Sequence, residues 1–173
     1  MSDSLYDEVP ANTAKKAVPK TKDDTVLSRL RDTISKKVER PTVLIDVPAR
    51  TGVKLKIAPN ISQNQMKAWR RNAGEDTKNG LDATKFACYV VGNCTIGVIM
   101  DGEEVFDEDG NRMNFASQEI LDMTGTTRPV PDAVRAFFGI DPHVESAALA
   151  ILDAAGYSDT VEAEDPTMGS STN

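Results

Sequence analysis

The chain has 173 residues, of which 39% are hydrophobic but only 5% aromatic, and carries a net charge of −7. That length holds one modest core with tails and leaves no room for a second. The longest apolar run, within residues 86–100, is broken by Gly92, Asn93 and Gly97 and falls short of the ~20 residues that a membrane span needs.

Charge runs unevenly along the chain: +2 over residues 1–40, +4 over 41–100 and −13 over 101–173. Such an asymmetry speaks to partners and self-association rather than to fold. The opening MSDSLYDEVP has neither a basic start nor an apolar stretch, so it predicts a cytoplasmic chain without a secretion signal.

Residues 1–24 mix Pro, Lys, Asp and small residues without apolar periodicity and predict a disordered arm. In TVLSRLRDTISKKV the apolar residues Leu27, Leu30, Ile34 and Val38 fall at helical spacing, so 25–40 reads as an amphipathic helix and linker. Two alternating runs follow. Val43, Ile45 and Val47 share one face of the first, and Val53, Leu55 and Ile57 share one face of the second, with ARTG between them as a hairpin loop.

NISQNQMKAWRRNAGE has Ser62 and Gln65 as a capping box, Ile61 and Met66 as a staple, and Gly74 at the left-handed end of a helix. That helix presents Met66, Trp69 and Ala73 on one side. LDATKFACYVVGNCTIGVIM is ambiguous. A helix capped by Asp82, with Phe86, Tyr89, Val90 and Asn93 on one stripe and a strand over 95–100, competes with a hairpin turning at Gly92-Asn93; the helix is preferred.

Asp101-Gly102 and FDEDGNRM then punctuate a small meander with EEVF and RMNF as strands. Three helices are expected beyond it: QEILDMT ending at Gly125, PDAVRAFF opening at Pro131 and ending at Gly139, and a helix from Asp141-Pro142 to Gly156 with Val144, Ala147, Ala148, Ile151 and Leu152 on one stripe. Residues 158–173 predict a disordered acidic tail. The fold class is therefore α+β: a small antiparallel hairpin or meander packed with a mainly α-helical C-terminal part, one domain over 41–157, and disordered termini.

Little in the sequence carries chemistry. FDEDGNRM has the density of a calcium loop, but setting Gly110 at loop position six places Val105 at position one and Ala116 at position twelve, which removes the first and the closing ligands. Cys88, Cys94 and the single His143 are too few for a zinc site, and the thiols read as buried and unpaired. His143 reads as a surface residue without a nucleophile beside it. No phosphate loop is present, so neither an enzyme nor a cofactor is indicated. KAWRRN sets Trp69 beside Arg70 and Arg71 as nucleic-acid contacts would be, yet the chain is acidic where phosphate binding wants a basic field, and Trp69 also fits a core anchor.

The order of segments carries a further signal. APNISQNQMKAWRRNAGEDTKNGLDATKFACYVVGNCT, followed by DGEEVFDEDGNRMNFASQEILDMTGTTRPVPDAVRAFFG and an Ala-rich helix, resembles the tail assembly chaperones of long-tailed phages of actinobacteria over residues 42–165. The resemblance implies a non-enzymatic assembly factor in the host cytoplasm. It would bind the tape-measure protein, help recruit the tail-tube protein, exist beside a frameshifted long form diverging near Asp165 to Gly169, and leave before the virion is complete.

Partner-facing candidates are Leu27, Leu30, Ile34, Trp69, Arg70, Arg71, Phe137 and Phe138. The +4 and −13 segments suggest head-to-tail contacts between copies in a homo-oligomer. The competing readings are a virion component such as a head-tail connector or tail terminator, and a small nucleic-acid-binding regulator.

Overall fold

The computed structural model describes residues 25–163, and the expected arm over 1–24 and residues 164–173 lie outside them. The described residues fall into two compact units, one ending at Val38 and the other beginning at Glu39. The first unit contains α1 (Val26–Ser35), capped by Thr25, whose hydroxyl accepts from the Ser28 amide at 3.1 Å.

The second unit is α+β. Its sheet has four antiparallel strands in the order β1 (Val43–Asp46), β2 (Val53–Ile57), β3 (Thr95–Met100) and β4 (Glu103–Glu104). The helices of this unit are α2 (Gln63–Asn72), α3 (Ala83–Cys94), α4 (Gln118–Thr124), α5 (Val134–Phe138) and α6 (Asp141–Ala154).

Alternation settles the sheet register. Val43, Ile45 and Val47 line up with Ile57, Leu55 and Val53, so all six point to the core side. Leu44, Asp46, Lys54 and Lys56 occupy the opposite face, where Lys54 pairs with Asp46 across the strands at 3.0 Å. Lys56 lies opposite Gly97 in β3 and crosses that strand to reach Glu104 in β4, at 2.8 Å. Gly97 makes the crossing possible, because a Cβ there would sit 3.4 Å from the Lys56 Cβ and any longer side chain would stand in its path. β3 and β4 join through Asp101-Gly102, both with positive φ (50° and 84°), the two-residue loop that matches the twist of antiparallel strands.

The stretch 81–100 takes the helix-then-strand form. The Asp82 carboxylate accepts from the Lys85 amide at 3.0 Å and starts α3, which hands over directly to β3 at Thr95. The expected stripe of Phe86, Tyr89, Val90 and Asn93 is corrected: Ala87, Cys88, Val90, Val91 and Cys94 are buried, Phe86 and Tyr89 are half-buried, and Asn93 is exposed. A helix covered on several sides has no single apolar stripe to read. α3 packs against α2, α5 and α6, and its Gly92 lets the Val130 side chain come so close that a Cβ would lie 2.5 Å from Val130 Cγ2.

The capping box at α2 forms in both directions: the Gln65 amide donates to Ser62 Oγ at 3.2 Å, and the Ser62 amide to Gln65 Oε1 at 2.9 Å. Gly74, Gly125, Gly139 and Gly156, the expected helix ends, all have positive φ. The expected strand RMNF is corrected, since only a single bridge pairs Phe106 with Arg112 beyond β4. Within Pro129–Ala133 only Val130 is extended, so the backbone turns helical at Pro131, the expected opening, and runs on into α5. In α6, Val144, Ala147, Ala148 and Ile151 are buried as the sequence stripe requires.

Three polar clamps hold the helices. Arg135 meets Asp141 through two bonds, at 3.1 and 2.6 Å, between α5 and α6. The Thr84 hydroxyl donates to Glu145 at 2.6 Å between α3 and α6. Arg50 of the β1–β2 loop donates to the carbonyls of Phe137 and Ala136 at 3.0 and 3.2 Å, which suits the negative end of α5. The chain over 158–163, expected to be disordered, is irregular, but Asp159 is tied by an ion pair to Arg40.

Gly92 yields a direct test. Overpacking costs roughly 1–3 kcal/mol and Ala over Gly favours a helix by about 1 kcal/mol, so Gly92→Ala is expected to lower stability by up to about 2 kcal/mol. In a Val130→Ala background, where the nearest methyl is gone and Val134 Cγ2 at 3.2 Å remains, the same change should cost clearly less. Urea denaturation of the four proteins measures both, and an equal effect in the two backgrounds would refute the close approach.

Candidate interaction surfaces

Several exposed apolar side chains cluster at the start of the described chain, while others, such as Met123, Leu149 and Val161, stand singly elsewhere. In α1, Val26 is 73% exposed, Leu27 64%, Leu30 52% and Ile34 72%, and the helix has no buried residue. Because of the 3.6-residue period, Leu27, Leu30 and Ile34 fall on one side, with Arg29, Arg31, Asp32, Lys36 and Lys37 in the same segment. Within α1 itself Arg29 and Arg31 stand against Asp32, and Lys36 and Lys37 follow its end, so the segment as a whole is basic. It is also only 10 residues long, a length that is marginal for a helix without a packing partner.

Of the remaining candidates, two are corrected. Trp69 is only 7% exposed and Phe138 is fully buried, and both belong to the hydrophobic core; neither ring is available to a partner. Phe137 is half-buried and stands edge-on to Phe115, with centroids 5.2 Å apart. Arg70 and Arg71 are exposed at the end of α2 but are paired with Glu75 at 2.7 Å and Asp76 at 3.8 Å. Lys54 and Lys56 are also paired, and Arg50 is on backbone carbonyls.

The acidic counterpart lies at the β3–β4 corner. Asp107 closes the next turn: its Oδ1 accepts from the amides of Asp109 and Asn111 at 3.0 and 2.7 Å, and its Oδ2 from the Asn111 side chain at 3.2 Å. These donors, led by the Asn111 amide, hold the Asp107 carboxyl below its ordinary value. Such a carboxylate is a turn-former, and among the described residues no group of three or more ligating side chains could hold a metal ion. The Lys56 ammonium, bonded to Glu104, likewise holds the Glu104 carboxyl below its usual 4.5, with Arg112 adding to the effect at 3.5 Å.

Between the two turns is an open cleft of roughly 530 Å³ lined by Met100, Asp101, Glu103, Glu104, Val105 and Phe106. Phe106 is 51% exposed and Met100 44%, so the cleft combines apolar surface with the carboxylates of Asp101, Glu103 and Glu104. Among the described residues, Asp101, Glu103, Glu108 and Asp109 make no ion pair. Sequence reasoning missed this cleft. Its one legible signal was the alternation that buries Val105 and so turns Phe106 outward.

The thiols are structural. Cys88 and Cys94 are buried and unpaired, and burial pushes them up to about 12 and about 11. His143, expected at the surface, is half-buried, and its Nδ1 is buried without a hydrogen-bond partner among the described residues. Among the described residues no helix is long and apolar enough to cross a membrane. No protein-family model matches the chain, and neither a curated protein nor a solved structure matches it.

Two outcomes are expected here. An aromatic disulfide reagent at pH 8 should leave both thiols unmodified in the native chain and titrate two per chain in denaturant; rapid native reaction would contradict their burial. Glu104 should also make the sheet corner acid-sensitive. Its folded-state pKa is depressed, so its contribution is full above the unfolded value and is lost as pH falls through the folded one. Glu104→Gln should therefore cost stability at neutral pH and flatten the fall in stability below about pH 4, as followed by denaturation across pH 2–7; a profile parallel to wild type would refute it.

Proposed function

We propose that this protein is a non-enzymatic assembly chaperone for a long phage tail, binding the tape-measure protein and assisting polymerisation of the tail tube. The observation that carries the reading is α1, which displays Leu27, Leu30 and Ile34 to solvent on a short helix with no buried residue. A chaperone that keeps an elongated apolar partner soluble needs such a stripe, since an amphipathic helix can lay its apolar face against a partner's. The order of segments over 42–165, already noted as resembling this class, supports the same reading.

The polar groups fit it too. Those of residues 39–163 that come together do so in caps, turns and ion pairs that hold the fold, such as Ser62 with Gln65, Asp107 with Asn111 and Arg135 with Asp141. The partners on this reading are the tape-measure protein, the tail-tube protein and a longer form of the same chain, with the host cytoplasm as the place of action. The nucleic-acid alternative loses its stacking platform with Trp69 in the core, and two of its cations already have carboxylate partners.

Co-expression with the tape-measure protein is expected to keep that protein in the soluble fraction, and Leu30→Asp with Ile34→Asp should abolish the effect while leaving this chain folded. Mass spectrometry of mature particles should not detect the chain. Its presence at stoichiometric levels would overturn the chaperone reading in favour of a head-tail connector or tail terminator.

A further inference from the structure

We propose that the acidic cleft at the β3–β4 corner of one copy receives α1 of a second copy, giving an open head-to-tail association. Two uncovered surfaces of opposite sign motivate it. The cleft offers Phe106 and Met100 as apolar surface together with the carboxylates of Asp101 and Glu103. α1 offers Val26, Leu27, Leu30 and Ile34 on a segment whose charged residues are four cations and one carboxylate. A basic amphipathic segment is the occupant that such a cleft recognises: apolar side chains reach Phe106 and Met100 while Arg29 and Arg31 reach the carboxylates.

Exposed apolar side chains next to charge of the opposite sign single out this pair of surfaces. Lys54, Lys56, Arg70 and Arg71 are matched to carboxylates nearby, so these cations of the middle of the sequence are already engaged. On the acidic side Glu104 is held by Lys56 and Arg112, and Asp107 by its own turn, which leaves Asp101, Glu103, Glu108 and Asp109 to act outward. The two surfaces are different patches of the molecule, so the contact is heterologous: the copy that gives its cleft keeps a free helix, and the copy that gives its helix keeps a free cleft. Growth in a row follows. This contact and the tail-assembly reading draw on the same α1, and one stripe cannot lie on another protein and in a neighbour's cleft at once; the cleft substitutions, which leave α1 intact, tell the two apart.

The test uses the full chain in sedimentation-velocity runs over a hundredfold range of concentration at low salt. The average mass is expected to rise with concentration and to return to monomer near 1 M salt, where the screening length falls to about 3 Å. Leu30→Asp, on a helix that buries nothing, and Glu103→Lys with Phe106→Ser, in the cleft, should each be monomeric alone. Mixed one to one, they should form a complex of two chains and nothing larger, because one supplies an intact cleft and the other an intact helix.

A wild-type chain that remains monomeric throughout overturns the proposal. So does assembly that survives the cleft substitutions but not Leu30→Asp, which would mean that α1 pairs with another α1. Failure of the two folded variants to complement each other overturns it as well. Retained Trp69 fluorescence and an unchanged melting transition establish that each variant is folded.

Discussion

The second unit depends on one constraint: α3 must be covered on several sides at once. Ala87, Cys88, Val90, Val91 and Cys94 are all buried, and they spread around the helix rather than along one stripe. A helix so placed needs neighbours on more than one side, which α2, α5 and α6 supply, while the strand that continues from it at Thr95 is central in the sheet. Gly92 sets how close the neighbouring Pro129–Ala133 turn can come, because Val130 occupies the space where any side chain would stand. The clamps at Thr84–Glu145 and Arg135–Asp141 then hold the covering helices in register. Burial also explains why both cysteines are chemically quiet: neither thiolate has water or an adjacent cation strong enough to offset desolvation.

The same constraint explains what could and could not be read from the residues alone. Elements with one wet face were legible, since β1, β2, α2 and α6 each follow a simple period with a cap or a turn at the end. The helix-to-strand order at 81–100 was legible through the Asp82 cap, but the buried side of α3 was not, because a helix apolar most of the way round carries no phase. Trp69 could be read as a core anchor on the Met66 stripe or as a partner contact beside its arginines, and the core reading holds: Arg70 and Arg71 are exposed with their own carboxylate partners while the indole is buried. Phe137 and Phe138 are adjacent and differ in fate for the same reason: neighbouring helical positions are about 100° apart, so they cannot share one environment.

Local charge matching gives the sheet its outward face and changes what the uneven charge of the chain means. Lys56 reaches Glu104 only because Gly97 leaves β3 bare beneath it, and Arg112 adds a second cation to the same carboxylate. Exposed pairs of this kind contribute little each, typically 0–1 kcal/mol, but they hide the 9%-exposed Ile99 under their aliphatic stems. Of the +4 over the middle of the chain, the Lys56–Glu104 pair takes up one charge with an acid from the C-terminal part. The acidic excess is not matched in this way, so the net outward charge gathers where the loops of the β3–β4 corner project.

α1 stands apart from all of this. The core of residues 39–163 is built from its own side chains, with Leu55, Ile57, Val90, Val91, Phe138, Val144 and Ile151 fully buried. Removing the α1 side chains would leave that core intact, so the regular spacing of Leu27, Leu30 and Ile34 is not explained by folding. A segment without such a role has no physical reason to keep apolar residues at helical spacing, since exposed Leu and Ile give up the roughly 1.5–3 kcal/mol each that burial would return. An apolar period on an otherwise basic segment is the pattern of a surface that is completed only on contact. The cleft at the other charge extreme of the sequence is incomplete in the matching sense, with apolar surface left wet among carboxylates. Each surface lacks what the other presents, and the proposed self-association rests on that complementarity of charge and exposed apolar area rather than on either surface taken singly.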